Sequence, residues 1–213
     1  MRSAFLQSLR SCAAILVASI ALTAADGPSF GMSLQWRPTS TLSETTERIE
    51  LMPFVNVKVG MKPLVDQRKD KTFVGENREK SYSRYVTTTD DVPALLTSRV
   101  LDLMKEAGLP ISDKVEGANI VLTGEILRYG VTETQTYKGE LRLLLEIHSG
   151  DKSVWKGVVV GRASRFGRSY KPDNYQEVLS DVVVEAVSRM LSDQTFLRVL
   201  SGKAMVVPIP AAN

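Results

Sequence analysis

The chain has 213 residues, 43% of them hydrophobic and 24% charged, which is ordinary for one medium-sized globular domain. Its formal charge is +3, but two of the 27 basic side chains, Arg2 and Arg10, lie in a leader without acidic residues. From Asp26 onward, 25 basic side chains stand against 24 acidic ones. This nearly neutral balance excludes bulk nucleic-acid binding. The single cysteine, Cys12, lies in that leader and the single histidine is His148, which excludes disulfides, thiol catalysis and a histidine-cluster metal site, and no cofactor is predicted.

Residues 1–25 have the three parts of a secretory signal peptide. The positive start carries two arginines, residues 12–22 form the apolar centre, and residues 23–25 are small. This pattern predicts export to the periplasm or cell envelope with cleavage before Asp26, and an uncleaved anchor is the alternative. Cys12 is not predicted to be a lipid attachment site, because the apolar stretch follows the cysteine instead of preceding it.

Composition divides the rest of the chain into three parts. Residues 26–50 are rich in Ser, Thr, Gly and Pro and predict a flexible N-terminal arm. Its one large aromatic residue, Trp36, marks either a docking contact or, more simply, an arm that covers a sheet edge. Residues 51–202 predict a single domain, and residues 203–213 predict a C-terminal tail.

The first half of the domain predicts two strands and a helix. Valine alternates with other residues over positions 55–59, and residues 82–89 are mostly β-branched and aromatic, as is typical of strands. Between them, residues 66–75 are mainly polar and end in glycine, which predicts a loop. Asp91 is predicted to be the N-cap of a helix, with Pro93 in the first turn, where its missing N–H costs nothing.

Residues 117–161 predict an antiparallel meander. Apolar residues recur two or four positions apart and so share a strand face: Ile120, Leu122 and Ile126, then Leu141, Leu143, Leu145 and Ile147. Residues 149–152 supply a tight turn, because Gly and Asp tolerate the positive φ values that hairpins need. Arg142, Glu146 and His148 fall on the opposite, half-solvated face.

A second helix is predicted after the meander, capped by Asp173. Its predicted buried stripe consists of Tyr175, Val178, Leu179, Val182, Ala186 and Met190. A short helical turn is predicted over residues 196–200. Together these elements predict an α+β fold, with a mainly antiparallel sheet of about five strands and two helices packed on one face.

The sequence resembles the YajG-like group of bacterial envelope proteins over residues 52–200. The matching features are the Val-x-Val strand that leads to Asp66-x-Arg68 and then Val74-Gly75, Gly124 in an apolar strand, Val154-Trp155 after a hairpin, and Asp193 and Phe196 behind the closing helix. This resemblance implies a periplasmic or outer-membrane protein, typically a lipoprotein, without established enzymatic activity. The chain departs from the group because it lacks a usable lipidation motif.

Asp66, Arg68 and Gly75 are the first candidates for binding. The two charges stand at the mouth of the predicted loop and would meet a charged group of a partner, while Gly75 would let backbones approach closely. The alternative interpretation is an ion pair that orders the loop, or two solvated charges, since exposed pairs contribute little energy.

The second candidate is the basic connection between the meander and the second helix. It contains Arg162, Arg165, Arg168 and Lys171. Such a cluster suits phosphate headgroups, anionic envelope glycans or an acidic protein face. A solvated connection is the alternative. No catalytic or metal-ligating residue is predicted.

These features predict a non-enzymatic accessory or binding protein of the periplasm or cell envelope, in peripheral contact with the outer membrane. Its partner would be an envelope protein or an anionic envelope lipid or glycan. One alternative is a small hydrolase that uses carboxylates, although Glu125, Glu133, Glu140 and Glu146 all fit the wet face of a sheet. Another is a homo-oligomer formed by sheet-edge pairing, for which residues 158–160 are the candidate.

Overall fold

The structure is a computed structural model that describes residues 29–42, 56–167 and 170–202. The predicted signal peptide, the predicted C-terminal tail and part of the predicted arm lie outside the described residues. Nine strands are described: β1 (Phe30–Gly31), β2 (Val59–Met61), β3 (Val65–Asp66), β4 (Phe73–Asn77), β5 (Arg84–Thr87), β6 (Ile111–Ser112), β7 (Ile120–Glu133), β8 (Thr136–Ser149) and β9 (Lys152–Phe166). The three described helices are α1 (Val92–Glu106), α2 (Pro172–Ser192) and α3 (Gln194–Leu200).

Strand β7 is the centre of one mixed sheet. One of its edges pairs with β8 in the antiparallel direction along almost the whole strand, and β8 pairs in the same way with β9. The other edge of β7 pairs in parallel with three short strands in succession, β2, β3 and β4. Beyond them, β5 lies antiparallel to β4, while β1 and β6 run parallel to β5 and β2.

The predicted sheet is wrong in strand number and strand direction. The described residues form nine strands with several parallel pairs and three helices, not a mainly antiparallel sheet of about five strands with two helices. Strands β1, β3 and β6 have two residues each, too few to show alternation. Parallel partners are also far apart in sequence, as with Gly60 opposite Val121. Strand β4 begins inside the segment predicted to be a loop.

The antiparallel meander is confirmed as β7, β8 and β9. All apolar residues of the two predicted alternating sets are buried beneath the helices. The hairpin between β8 and β9 turns at Gly150, whose φ of 58° is the left-handed conformation that glycine adopts most readily.

The helices follow the predicted apolar stripes, but one predicted cap is wrong. Asp91 caps α1 by accepting a hydrogen bond from the Ala94 N–H at 2.9 Å, as predicted. Helix α2 instead begins after Lys171, which makes no side-chain cap, so Asp173 lies inside the first turn. All six residues of its predicted stripe are buried. None of the three described helices is both long and apolar enough to cross a bilayer.

Helix α2 lies unusually close to the sheet because two glycines stand beneath it. A Cβ added to Gly139 would lie 2.5 Å from Cγ1 of Val178. A Cβ on Gly161 would overlap the carbonyl oxygen of Val182. The helix backbone therefore rests on the sheet where β8 and β9 carry no side chain.

Residues 30–40 dock against the domain. Strand β1 pairs with β5 at the sheet edge. Gln176 of α2 accepts a hydrogen bond from the Gln35 N–H at 2.7 Å and donates one to the Ser33 carbonyl at 2.6 Å. Further along, Asp181 accepts from the Thr39 N–H at 2.7 Å. Side chains of α2 thus take the place of a neighbouring strand for this segment.

Replacing Gln176 with leucine is expected to loosen this segment. Two backbone groups would lose hydrogen bonds worth about 1 kcal/mol each, so amide exchange at Gln35 should become about 10-fold faster or more. Hydrogen–deuterium exchange of residues 33–37 measures this. The matched control is Gln194→Leu at an exposed position on α3, and equal exchange in both variants would contradict the assignment.

Candidate functional site

Three arginines meet on the sheet face that points away from the helices. They come from adjacent strands: Arg128 of β7, Arg142 of β8 and Arg162 of β9. All three surround one carboxylate, Glu140. Its oxygens lie 3.0 Å from Nη2 of Arg142, 3.4 Å from Nε of Arg162 and 3.9 Å from Nε of Arg128. We call these four residues the arginine cluster.

Register explains why these side chains converge. Arg128 is opposite Arg142 in the β7–β8 pair, and Arg162 is opposite Glu140 in the β8–β9 pair. Opposite side chains on one face of a sheet lie about 5 Å apart, within reach of a shared carboxylate. Like charges directly opposite each other repel, so Arg128 and Arg142 depend on Glu140 for compensation.

The arginine cluster carries more positive than negative charge. Three guanidinium groups share a single carboxylate, which leaves two positive charges uncompensated. The arginine side chains are 61%, 44% and 59% exposed, whereas Glu140 is 20% exposed. Exposed ion pairs contribute little to stability, whereas a guanidinium can bind a carboxylate or phosphate through two parallel hydrogen bonds. The cluster therefore presents a net positive charge on this exposed face of the sheet.

A bulge in β7 brings Arg128 into this arrangement. The pairing register with β8 shifts between Ile126 and Arg128. Buried positions are even-numbered before the shift, whereas after it the large buried side chains are Tyr129, Val131 and Glu133, with Gly130 buried between them. As a result, Leu127 and Arg128 are both exposed. A bulge re-aims side chains in this way by inserting one extra residue.

A groove of about 490 Å³ adjoins the arginine cluster on the same face. Its lining consists of Arg68, Lys69 and Asp70 from the loop before β4, Phe73 at the start of β4, residues 127–132 of β7, and Arg142. A Cβ on Gly130 would lie 3.2 Å from the ring of Phe73, so glycine here makes room for that ring. The groove has apolar surface from Leu127 and Phe73, and its charged lining is mostly cationic, with Asp70 as the one acidic residue among the lining residues.

Asp66 and Arg68 bind each other, and Arg68 forms part of the wall of this groove. Nε of Arg68 donates to Oδ1 of Asp66 at 2.9 Å, and Nη2 donates to Oδ2 at 2.8 Å. The guanidinium also donates to the carbonyl oxygens of Phe73 and Lys71, both at 2.7 Å. The two side chains are only 9% and 6% exposed. The pair therefore clamps the loop of residues 67–72.

Arg68 sets the protonation of its partner. Burial by itself raises the pKa of Asp66, but the hydrogen bonds and charge of Arg68, with a contribution from Lys71, outweigh burial and hold that pKa below its ordinary value of 3.8. Asp66 is therefore ionised throughout the neutral range.

The seven residues predicted to bind do not form one site. Arg162 belongs to the arginine cluster, Arg68 lines the groove, and Asp66 is paired with Arg68. Gly75 lies beneath α2, where a Cβ would be 2.7 Å from the ring of Tyr175. Arg165 forms an ion pair with Glu177, Lys171 precedes α2, and Arg168 lies outside the described residues. Their binding roles stay predictions.

The remaining acidic candidates are dispersed. Glu133 is fully buried and accepts hydrogen bonds from the Tyr175 hydroxyl and the Tyr170 N–H, both at 2.9 Å. Glu140 and Glu146 share a face of β8 but are six residues apart, about 20 Å at the rise of a strand. Paired carboxyls of glycosidases lie about 5–9.5 Å apart. Within the described ranges, no three His, Cys, Asp or Glu side chains are placed to hold a metal ion.

The chain is similar to solved structures at the level of the fold. A DUF330 protein from Xanthomonas campestris matches with a TM-score of 0.50 and 9% identity, over 83% of this chain and 97% of that one. The two proteins share a fold. PelC from Paraburkholderia phytofirmans, solved as a dodecamer, gives 0.39 with 15% identity over 63% and 86%. A lipoprotein from Neisseria meningitidis gives 0.29 with 12% identity over 54% and 88%.

The last two scores are too low to support a statement about this chain. No protein-family model and no curated protein matches the sequence. The similarity thus establishes a fold shared with a DUF330 protein, and membership of the YajG-like group stays a prediction.

Proposed function

We propose that the chain is a non-enzymatic accessory protein of the cell envelope that binds the anionic headgroup of an envelope lipid or glycolipid. The observation that carries this proposal is the convergence of Arg128, Arg142 and Arg162 on the single carboxylate of Glu140. A headgroup phosphate or carboxylate supplies the negative charge that this cluster lacks. The leader predicted over residues 1–25 supports the envelope location.

The adjoining groove favours an amphiphile over a simple ion. Its apolar surface at Leu127 and Phe73 suits the hydrocarbon next to a headgroup, and Arg128 and Arg142 of the arginine cluster line the same groove. Clusters of basic residues gain about 1 kcal/mol for each Lys or Arg held near an anionic lipid surface. With Glu140 counted, the net two positive charges of the cluster supply about 2 kcal/mol, and apolar contact in the groove supplies the rest of a reversible peripheral attachment.

A vesicle-binding experiment tests the proposal. The probe is a phosphatidylcholine vesicle with or without phosphatidylglycerol, and the protein is the full chain from Asp26 onward. Replacing Arg128, Arg142 and Arg162 together with glutamine should weaken binding to the anionic vesicle about 100-fold, because about 3 kcal/mol of attraction is lost. Co-sedimentation measures the bound fraction.

The matched control is Arg198→Gln, which removes one exposed arginine from α3. It should bind like the unmodified protein, and circular dichroism should show all variants folded. Undiminished binding by the triple variant would refute the assigned face. The unmodified protein could also fail to bind anionic vesicles and instead capture an acidic protein domain through the same arginines. The ligand of the arginine cluster would then be a protein and not a lipid.

A further inference from the structure

Strand β9 is a long strand with one unpaired edge. It has 15 residues and pairs with β8 on one side. Among the described residues, no strand pairs with its other side. The sheet edges at β1 and β6 are two residues long, and such short edges offer little template for a further strand. The edge of β9 is therefore the place in the described sheet where another strand can add.

A groove of about 530 Å³ runs beside this edge. Its lining includes three consecutive residues, Val158, Val159 and Val160, so both faces of β9 contribute to it. The opposite wall comes from the end of α2 and the start of α3. There Phe196 packs edge-to-face on Trp155, with ring centroids 5.2 Å apart. Val158 is 53% exposed. The groove thus offers apolar contacts next to unpaired backbone groups.

The charge of β9 indicates the chemistry of a partner. The strand contains four basic residues, Lys152, Lys156, Arg162 and Arg165, and no acidic residue. Lys156 pairs with Glu146, but Arg162 shares Glu140, the one carboxylate with which it forms an ion pair among the described residues, with two other arginines. Opposite charges on facing strands attract, with each pair contributing about 0.2–1 kcal/mol. An acidic strand suits this edge.

We infer that β9 accepts an extended acidic segment of another protein as an additional strand. Backbone N–H and C=O groups of the segment would pair with the free edge of β9. Alternate apolar side chains would enter the groove beside Trp155 and Phe196, and its acidic side chains would face Lys156 and Arg162. Strand addition of this kind takes affinity from backbone hydrogen bonds and specificity from the pockets for alternate side chains.

A second copy of this chain fits the edge less well. Two-fold pairing of β9 with itself is antiparallel, and three registers place the exposed Val158 and the half-buried Val160 in contact across the two copies. In these registers Lys156 faces residue 160, 162 or 164 of the other copy. It is then opposite or diagonal to Arg162 every time, and like charges at these positions repel. An acidic segment meets no such repulsion.

Synthetic peptides test the inference. The probe is a nine-residue peptide that alternates valine with glutamate, and its control replaces each glutamate with lysine. The full chain from Asp26 should bind the acidic peptide at least 10-fold more tightly than the basic one in fluorescence anisotropy. N-methylation of one set of alternate peptide amides should abolish binding, whereas methylation of the other set should not, because one edge of an added strand faces β9.

A pair of matched variants locates the site. Val158→Asp places a negative charge on the edge and should weaken peptide binding at least 10-fold. Val65→Asp makes the same change at an equally exposed valine on β3, 54% against 53% exposed, and should leave binding unchanged. Both variants keep the arginine cluster, so vesicle binding should persist in each, which separates this inference from the proposed function.

Three results would overturn the inference. One is equal binding of both peptides, or equal loss from both valine variants. Another is a dimer in sedimentation that Val158→Asp dissociates, because a second copy would then occupy the edge. The third is peptide binding only after removal of residues 203–213, since the chain's own tail would then cover β9.

Discussion

Replacing Gly161 with alanine is expected to destabilise the fold by about 3 kcal/mol or more, although only one methyl group is added. The new Cβ would overlap the carbonyl oxygen of Val182 and lie 2.7 Å from the amide nitrogen of Ala186. Both contacts are with the backbone of α2, which cannot rotate aside as a side chain can. The helix must therefore move away from β9, and packing along its buried face is lost.

Alanine substitutions at two other glycines provide a comparison for the expected loss of stability. At Gly139 the added Cβ meets side-chain atoms of Val178 and Val182 at 2.5 and 2.8 Å. These can yield in part, so Gly139→Ala should cost about 1–2 kcal/mol. A Cβ on Gly31 meets nothing within 4 Å, and Gly31→Ala should change stability by less than about 0.5 kcal/mol. Urea unfolding followed by circular dichroism measures all three, and a Gly161 variant as stable as the Gly31 variant would refute the close approach of α2.

Long elements with a regular apolar period could be predicted from the sequence. In β8 the buried side chains alternate without interruption, so Leu141 to Ile147 were assigned to the correct face. In α2 the apolar stripe from Tyr175 to Met190 spans more than four turns, which is longer than any competing strand pattern. The spacing of apolar residues predicts the buried side correctly in these two elements because each element buries one continuous face.

The parallel half of the sheet could not be predicted in this way. Strands β2, β3 and β4 have two to five residues, and each pairs in parallel with β7, which follows tens of residues later in the chain. Pairing of this kind depends on where α1 and the loops place the short strands, and local sequence does not encode that placement. The antiparallel prediction failed because it counted only strands that are recognisable by alternation.

The candidate site was partly accessible to sequence reasoning. Arg162 was named in the basic connection, and Arg142 was placed on the exposed sheet face. Arg128 was missed because the bulge after Ile126 reverses the alternation of β7. The signal for that bulge is the change of the large buried side chains from even to odd numbers, visible in the order Ile126, Tyr129, Val131. Convergence on Glu140 required the registers of two strand pairs, which the sequence alone does not specify.

Replacing Arg68 with methionine is expected to destabilise the protein by about 3–5 kcal/mol, the usual cost of leaving a buried charge without its partner. Methionine keeps much of the side-chain volume but donates no hydrogen bond. Asp66 would remain as a buried carboxylate, and the carbonyl oxygens of Lys71 and Phe73 would lose their donor. The loop of residues 67–72 should then loosen, and protection of its amides from exchange should fall.

A double variant separates the charge effect from packing. Asp66→Asn combined with Arg68→Met removes both charges and should be less destabilised than the sum of the single variants, by about 1–3 kcal/mol. Urea unfolding of the four proteins of this cycle gives the coupling. Additive losses would show that the two side chains stabilise the loop independently, contrary to the bidentate geometry.

The same pair should make stability depend on acid. Because the pKa of Asp66 is lowered in the folded protein, its ionised form contributes stability above the unfolded value near 3.8, and that contribution is lost as the pH falls through the folded pKa. The thermal midpoint of the unmodified protein should therefore drop more steeply below about pH 4 than that of Asp66→Asn. Asp102→Asn, at an exposed carboxylate on α1, is the control and should follow the unmodified protein. If the thermal midpoints of all three proteins fell in parallel with decreasing pH, the ionised form of Asp66 would gain no stability from Arg68 on folding.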